Sequence, residues 1–236
     1  MSIRVSLSFS DRDLLRWSEA LSAIARTGLS FSQVLYERER YEEIIHVAAE
    51  MRVAAGHALE RDELAGEWLK TVGSGVPGYV TPKIAVGAVV GNDKGEILLV
   101  QRSDSGLWLY PTGWADIGYS PSEVAVKEVA EETGISCEPV RVLGVLDGMR
   151  MGFTTMPLYS IVFHCRATGG TVTPHPLECR DAGWFAEDAL PEGMISFDRW
   201  GAQAFAAIRG EPVDVVFDAP RVPVWHPHPP ALSGDD

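Results

Sequence analysis

An α/β domain behind a small all-α N-terminal domain is the class this sequence predicts, and three observations point to it. Residues 1–72 carry apolar side chains at helical spacing and are poor in strand signals. A Gly/Pro-rich stretch, 73–82, then breaks the pattern. From residue 83 onward apolar strands alternate with helical segments, up to a Pro-rich arm over 211–236. The chain of 236 residues, 46% apolar and 22% charged, is long enough to bury a sizeable core. It has no run of 18 apolar residues for a membrane span, and its first residues do not read as a secretory leader, so a cytoplasmic protein is expected. Three dispersed cysteines exclude a disulfide scaffold and a zinc cluster.

The elements follow in order. Ser10 caps a first helix with Asp11 and Asp13 in its first turn and Leu14, Trp17, Leu21 and Ile24 as its apolar stripe; Gly28 is read as its stop. A second helix is expected over about 32–55, through Tyr41, Ile44, Ile45, Ala48 and Met51, and a third over 57–72. Three short amphipathic helices make a thin core, so this segment is expected to dock on a second copy as a homodimer. Then come "KIAVGAVV" and "EILLVQR", joined by the turn "GNDKG", and strands at "RVLGVLD", "LYSIVFHCRA" and "AGWFA". Helices are expected over 121–133 and about 197–209.

The chemistry concentrates in "PTGWADIGYSPSEVAVKEVAEETGI". Ser120, Pro121 and Glu123 form a helix start, and Gly134 ends that helix. Within it Glu128, Glu131 and Glu132 fall on one face, with Val126, Val129 and Ala130 expected toward a core. Three like charges so spaced weaken a bare helix by a few tenths of a kcal/mol per pair, roughly, unless a cation sits among them. Oxygen ligands of this kind favour Mg²⁺ or Mn²⁺. The chain carries 33 acidic against 20 basic side chains, a net charge of −13, which repels polyphosphate chains and disfavours nucleic-acid partners. A small anionic substrate remains compatible once a metal neutralises the local field.

This segment resembles the Nudix box, G-x5-E-x7-R-E-U-x-E-E-x-G-U, with U a bulky aliphatic residue. Gly113, Glu128, Val129, Glu131, Glu132, Gly134 and Ile135 match without insertion. Tyr119 stands where the pattern has its first Glu, and Lys127 where it has Arg. The likeness covers about residues 81–210, and the N-terminal helices are similar to an extension found in a subgroup acting on nucleoside diphosphates linked to another group. The resemblance implies an α/β/α sandwich with a mixed sheet and hydrolysis of a pyrophosphate bond in a molecule of the ADP-ribose or CDP-choline type. It further implies metal ligation by the Thr112 carbonyl, Glu128 and Glu132, with Glu131 ligating or orienting water. Glu178, shortly before Trp184, matches the place where several members carry the general base. Two alternatives stand beside this reading: removal of pyrophosphate from an RNA 5′ end, and a non-catalytic nucleotide-binding regulator.

Substrate contacts are read from residue type. Trp108, Tyr110, Trp114, Tyr119 and Phe153 are candidates to stack on a base, and Arg102 and Arg150 to meet phosphate. Lys127 is expected to pair with Glu123 or Glu131 one turn away. His164 is read as structural, and His226 and His228 carry no catalytic argument.

Overall fold

Ser10 starts α1 (Asp11–Phe31) with a reciprocal cap: its hydroxyl accepts the Asp13 N–H at 3.2 Å and its own N–H donates to the Asp13 carboxylate at 3.2 Å. The computed structural model describes residues 10–72, 80–116, 118–152 and 154–220. Phe153, His226, His228 and most of 73–82 therefore lie outside the described residues.

Helix α1 runs through Gly28 rather than stopping there. A side chain at Gly28 would strike the Tyr41 ring, so this glycine serves close helix packing, not termination. The buried face of α1 also differs from the expected stripe. Ser18, Ser22, Ala25 and Leu29 face inward, and Ile24 is exposed. Small side chains let α1 approach α2 (Leu35–Ala54) closely at Ala48 and Ala49, where the Ser18 hydroxyl donates to the Ala48 carbonyl at 2.7 Å. One charged pair is buried here, Glu19 of α1 with Arg52 of α2. Helix α3 (Arg61–Leu69) completes the cluster with Leu64 and Ala65.

The α/β part is a mixed sheet between two helices. Strand β1 (Lys83–Gly91) pairs in parallel with β6 (Leu158–Gly170) along its whole length. Its other edge forks. At Gly91 it meets β2 (Ile97–Arg102), and at Ala85–Gly87 it meets β4 (Thr112–Trp114). Strand β3 (Trp108–Leu109) lies on β2, so residues 108–114 are wedged between the diverging strands. Helix α4 (Pro121–Thr133) and β5 (Ile135–Asp147) follow, with β5 antiparallel to β6. The short α5 (Gly148–Met151) was not expected from the sequence; the Asp147 carboxylate caps it by accepting the Met149 and Arg150 N–H groups. Strand β7 (Cys179–Phe185) pairs with β2, α6 (Phe197–Ile208) covers the sheet, and β8 (Val216–Phe217) adds in parallel to β5 within the Pro-rich arm.

Alternation along β1 explains the layers. Val86, Ala88 and Val90 pack with Val124, Ala125 and Val129 of α4, while Val89 faces Trp200, Ala204 and Phe205 of α6. Ala130 is exposed, against expectation, because the inward stripe of α4 is Val124, Ala125, Glu128, Val129, Glu132 and Thr133. Two of the glutamates thus sit on the core-facing side of the helix. Trp108 and Tyr110, offered above as stacking residues, are core. Trp108 meets Phe185 edge-on at 5.1 Å between ring centroids, and Tyr110 meets Trp200 at 4.9 Å.

Burial pushes the Tyr110 phenol up to about 12, against a hydrogen bond to Ser160 that favours ionisation. The unfolded phenol ionises near 10, so this stabilisation is complete below about pH 10 and is lost as pH rises through 12. Tyr110→Phe is therefore expected to flatten the decline of unfolding free energy between pH 10 and 12, by on the order of 2 kcal/mol, in urea titrations compared with wild type.

Candidate active site

Local chemistry explains how α4 is aimed. Ser120 caps it reciprocally with Glu123, at 3.4 Å and 2.6 Å, and Pro121 occupies the first turn. Gly134 closes it with φ 70°, a left-handed backbone, donating its N–H to the Ala130 carbonyl at 2.9 Å. Between these stops Glu128 and Glu132, one turn apart, lie almost wholly buried beside the wedge of residues 108–114.

The wedge grips both. The Thr112 N–H donates to Glu132 Oε2 at 2.9 Å, and the Thr112 hydroxyl donates to the Val86 carbonyl at 3.0 Å. The Glu128 carboxylate occupies the space where a Cβ on Gly113 would stand, so that position accepts no side chain as built. Burial pushes Glu132 up to about 7; the Thr112 N–H and Arg102 pull it down, and Glu128 and Glu178 push it further up. Burial also raises Glu128, against the pull of Lys127, with Glu131, Glu178 and Asp116 adding repulsion. Lys127 offsets this negative field, its Nζ at 2.8 Å from Glu131, 3.3 Å from Asp116 and 3.8 Å from Glu128. These carboxylates hold Lys127 protonated well above the usual lysine range.

The carboxylates open onto a cleft of about 1190 Å³. Its lining includes Arg102, Thr112, Gly113, Trp114, Lys127, Glu128, Glu131, Glu132 and Glu178, so most of the expected site residues converge. Glu131 points outward to Lys127 and is exposed. Among the described residues no three His, Cys, Asp or Glu side chains come together as a ready metal cage. Arg102 is clasped by Asp104 at 2.7 Å and 3.1 Å. Trp114 is half exposed, with Lys83 Nζ 5.2 Å from its ring.

Two expectations part from the geometry. Tyr119 is exposed, and neither it nor Arg150 belongs to the cleft lining. The cap at Asp147 turns Arg150 toward the arm, where it donates to the Ala219 carbonyl at 2.8 Å and lies 3.9 Å from Asp218. Sequence reading also missed residues of the cleft. Asp116 and the segment around Gly152, Thr154 and Met156 arrive through strand pairing and loop packing, which leave no spacing signal.

The chain is similar to known proteins over both of its parts. The profile of the NUDIX domain matches residues 81–205, and that of a UDP-X-like N-terminal oligomerisation domain matches residues 12–63. A Bacillus subtilis protein with the provisional name ADP-ribose pyrophosphatase is 37% identical over 179 residues, covering 75% of this chain and 82% of its own length. The crystal structure of a UDP-X diphosphatase superposes with a TM-score of 0.52 at 28% identity, covering 89% of this chain and all (100%) of that one. An ADP-ribose pyrophosphatase from Streptococcus suis gives 0.51 at 33% identity, covering 58% and 100%.

Proposed function

Since the chain belongs to the Nudix hydrolase family, whose reaction is attack on acid anhydrides of phosphorus, we propose that it cleaves the pyrophosphate bond of a nucleoside diphosphate linked to a second moiety, with a divalent metal. The observation that carries this reading is the pair of buried carboxylates, Glu128 and Glu132, held by the wedge at the floor of the cleft. The N-terminal match supports the substrate class, because it belongs to UDP-X-like proteins.

The donor set fits a small hard cation: all oxygen, two nearly buried carboxylates whose mutual repulsion a cation would relieve. Glu128 and Glu132, with the Thr112 carbonyl and Glu131, would hold Mg²⁺ or Mn²⁺. Such an ion, when bound, would supply charge neutralisation at the phosphates and a lowered pKa for the attacking water. Thr112 orients Glu132 through its N–H, Lys127 limits repulsion among the carboxylates, and Arg102 offers a cationic edge to phosphate. Glu178 lines the same cleft, and its field reaches Glu128 and Glu132, which suits a base that takes the proton of water.

A panel of ADP-ribose, CDP-choline, UDP-sugars, nucleoside triphosphates and 5′-triphosphorylated RNA tests the reading. Turnover is expected on a diphosphate-linked substrate, lost with chelator, restored by Mg²⁺ or Mn²⁺, and lowered about 10²-fold or more by Glu178→Gln. Best turnover on RNA would overturn the substrate class. The cleft opposes that outcome, since Arg102 and Lys127 stand among six acidic side chains (Asp104, Asp116, Glu128, Glu131, Glu132 and Glu178). Binding of nucleotide without turnover would instead mark a regulator.

The helical domain is proposed to make a homodimer. The oligomerisation profile over residues 12–63 supports it, as do Ile24, Leu35 and Val47, exposed on α1 and α2 because small residues took the seam between them. Sedimentation equilibrium at micromolar concentration is expected to give twice the chain mass; a monomer there would count against it.

A further inference from the structure

The helical domain touches the α/β domain at the cleft itself. Arg52, near the end of α2, is 5% exposed. It pairs with Glu19 of α1, and its Nη2 donates to the Thr155 carbonyl at 3.0 Å. Thr155 stands between Thr154 and Met156, and both line the cleft, as does Gly152. Arg12 of α1 rests against Gly152, close enough that a Cβ there would meet its Nη2 at 2.7 Å. The flanks of this rim are held separately: the Gly152 N–H donates into α5 at 3.1 Å, and the Lys83 N–H donates to the Pro157 carbonyl at 3.0 Å. Arg52 grips the part between them from another element.

A buried guanidinium is a costly way to join two domains. Its Nε finds no hydrogen-bond acceptor among the described residues, and pairs of this kind add little net stability over an apolar substitute. What the group does supply is a directed donor to one carbonyl. We propose that Arg52 is a positioning residue for substrate: through the Thr155 carbonyl it fixes the Thr154–Met156 rim, and so the grip on the uncharged end of the substrate. The rim offers a hydroxyl and a thioether, whereas the charged groups lie around α4 and Arg102. The diphosphate therefore belongs at the carboxylates and the neutral end at the rim. This rests on the function proposed above only for the identity of the substrate.

Two variants test it in the full-length protein. Arg52→Lys keeps the charge opposite Glu19 but loses the fork. The double variant Glu19→Leu with Arg52→Met removes both buried charges, is expected to keep the fold, and leaves the Thr155 carbonyl without its donor. Both are expected to raise KM about 5- to 10-fold with kcat within about twofold. Hydrogen exchange of the amides at 154–156 is expected to accelerate in both, without ligand, while amides of α4 keep wild-type rates. Unchanged KM in either folded variant, or unchanged exchange at the rim, overturns the proposal. A kcat loss with unchanged KM overturns it too. If wild type turns over nothing in the panel, the functional reading fails, and the exchange arm still decides whether Arg52 holds the rim.

Discussion

Glu132→Gln is expected to lower kcat by about 10³-fold while leaving the fold intact. Glutamine keeps an oxygen to accept the Thr112 N–H that Glu132 accepts at 2.9 Å, and it keeps the volume of a nearly buried side chain. What disappears is the negative charge beside Glu128, and with it the means to hold a divalent cation. Thermal unfolding of the metal-free variant should match or exceed wild type, since a buried, mutually repelling carboxylate has been neutralised. Steady-state turnover on the best diphosphate-linked substrate and a metal titration check both halves. Activity within tenfold of wild type would remove Glu132 from the machinery.

Gly113→Ala is the second large effect. The Gly113 backbone is ordinary strand, paired with Val86, and has no left-handed φ, so alanine costs nothing in conformation. It lacks only space, because the new methyl group falls on the Glu128 carboxylate. Either Glu128 or the wedge must move by a sizeable fraction of an ångström, and displacement of a catalytic group by about 1 Å costs on the order of 10²-fold. Stability should change by less than about 1 kcal/mol, as the site lies at a cleft and not in a sealed core. A kcat within threefold of wild type would show that Glu128 yields freely.

The features legible in the sequence were local ones. Ser120, Glu123 and Gly134 announce both ends of α4 because caps act over three or four residues, and the glutamates then follow from helical period. Packing between elements was not legible. Gly28 reads as a helix stop until Tyr41 is seen against it. Ala130 trades faces with Glu128 and Glu132, while Glu131 stays exposed, because wedge and sheet together, not apolar content alone, decide how α4 is turned. Arg150 leaves the cleft because Asp147 caps a four-residue helix and the arm returns beside β5, both long-range events. The exposed apolar residues of the helical domain are not those of the expected stripe, Ile24 apart, because small side chains fill the seam between α1 and α2.

The fork of β1 has a consequence for reading inactive variants of this enzyme. Residues 108–114 hang from two diverging strands by main-chain rungs, with Val89, Ile97 and Leu99 packed near its root. A substitution that spreads or narrows the angle there reaches Thr112 through its main-chain pairing with Gly87 of β1. Losses of activity will therefore fall on two separate patches of a variant map, one over the carboxylates and one in apolar positions that touch no substrate. Truncations in the second patch would also lower the unfolding temperature, because Val89, Ile97 and Leu99 are fully buried, but volume-conserving changes there, which cost under about 1.5 kcal/mol, would unfold near the wild-type temperature and fail at turnover.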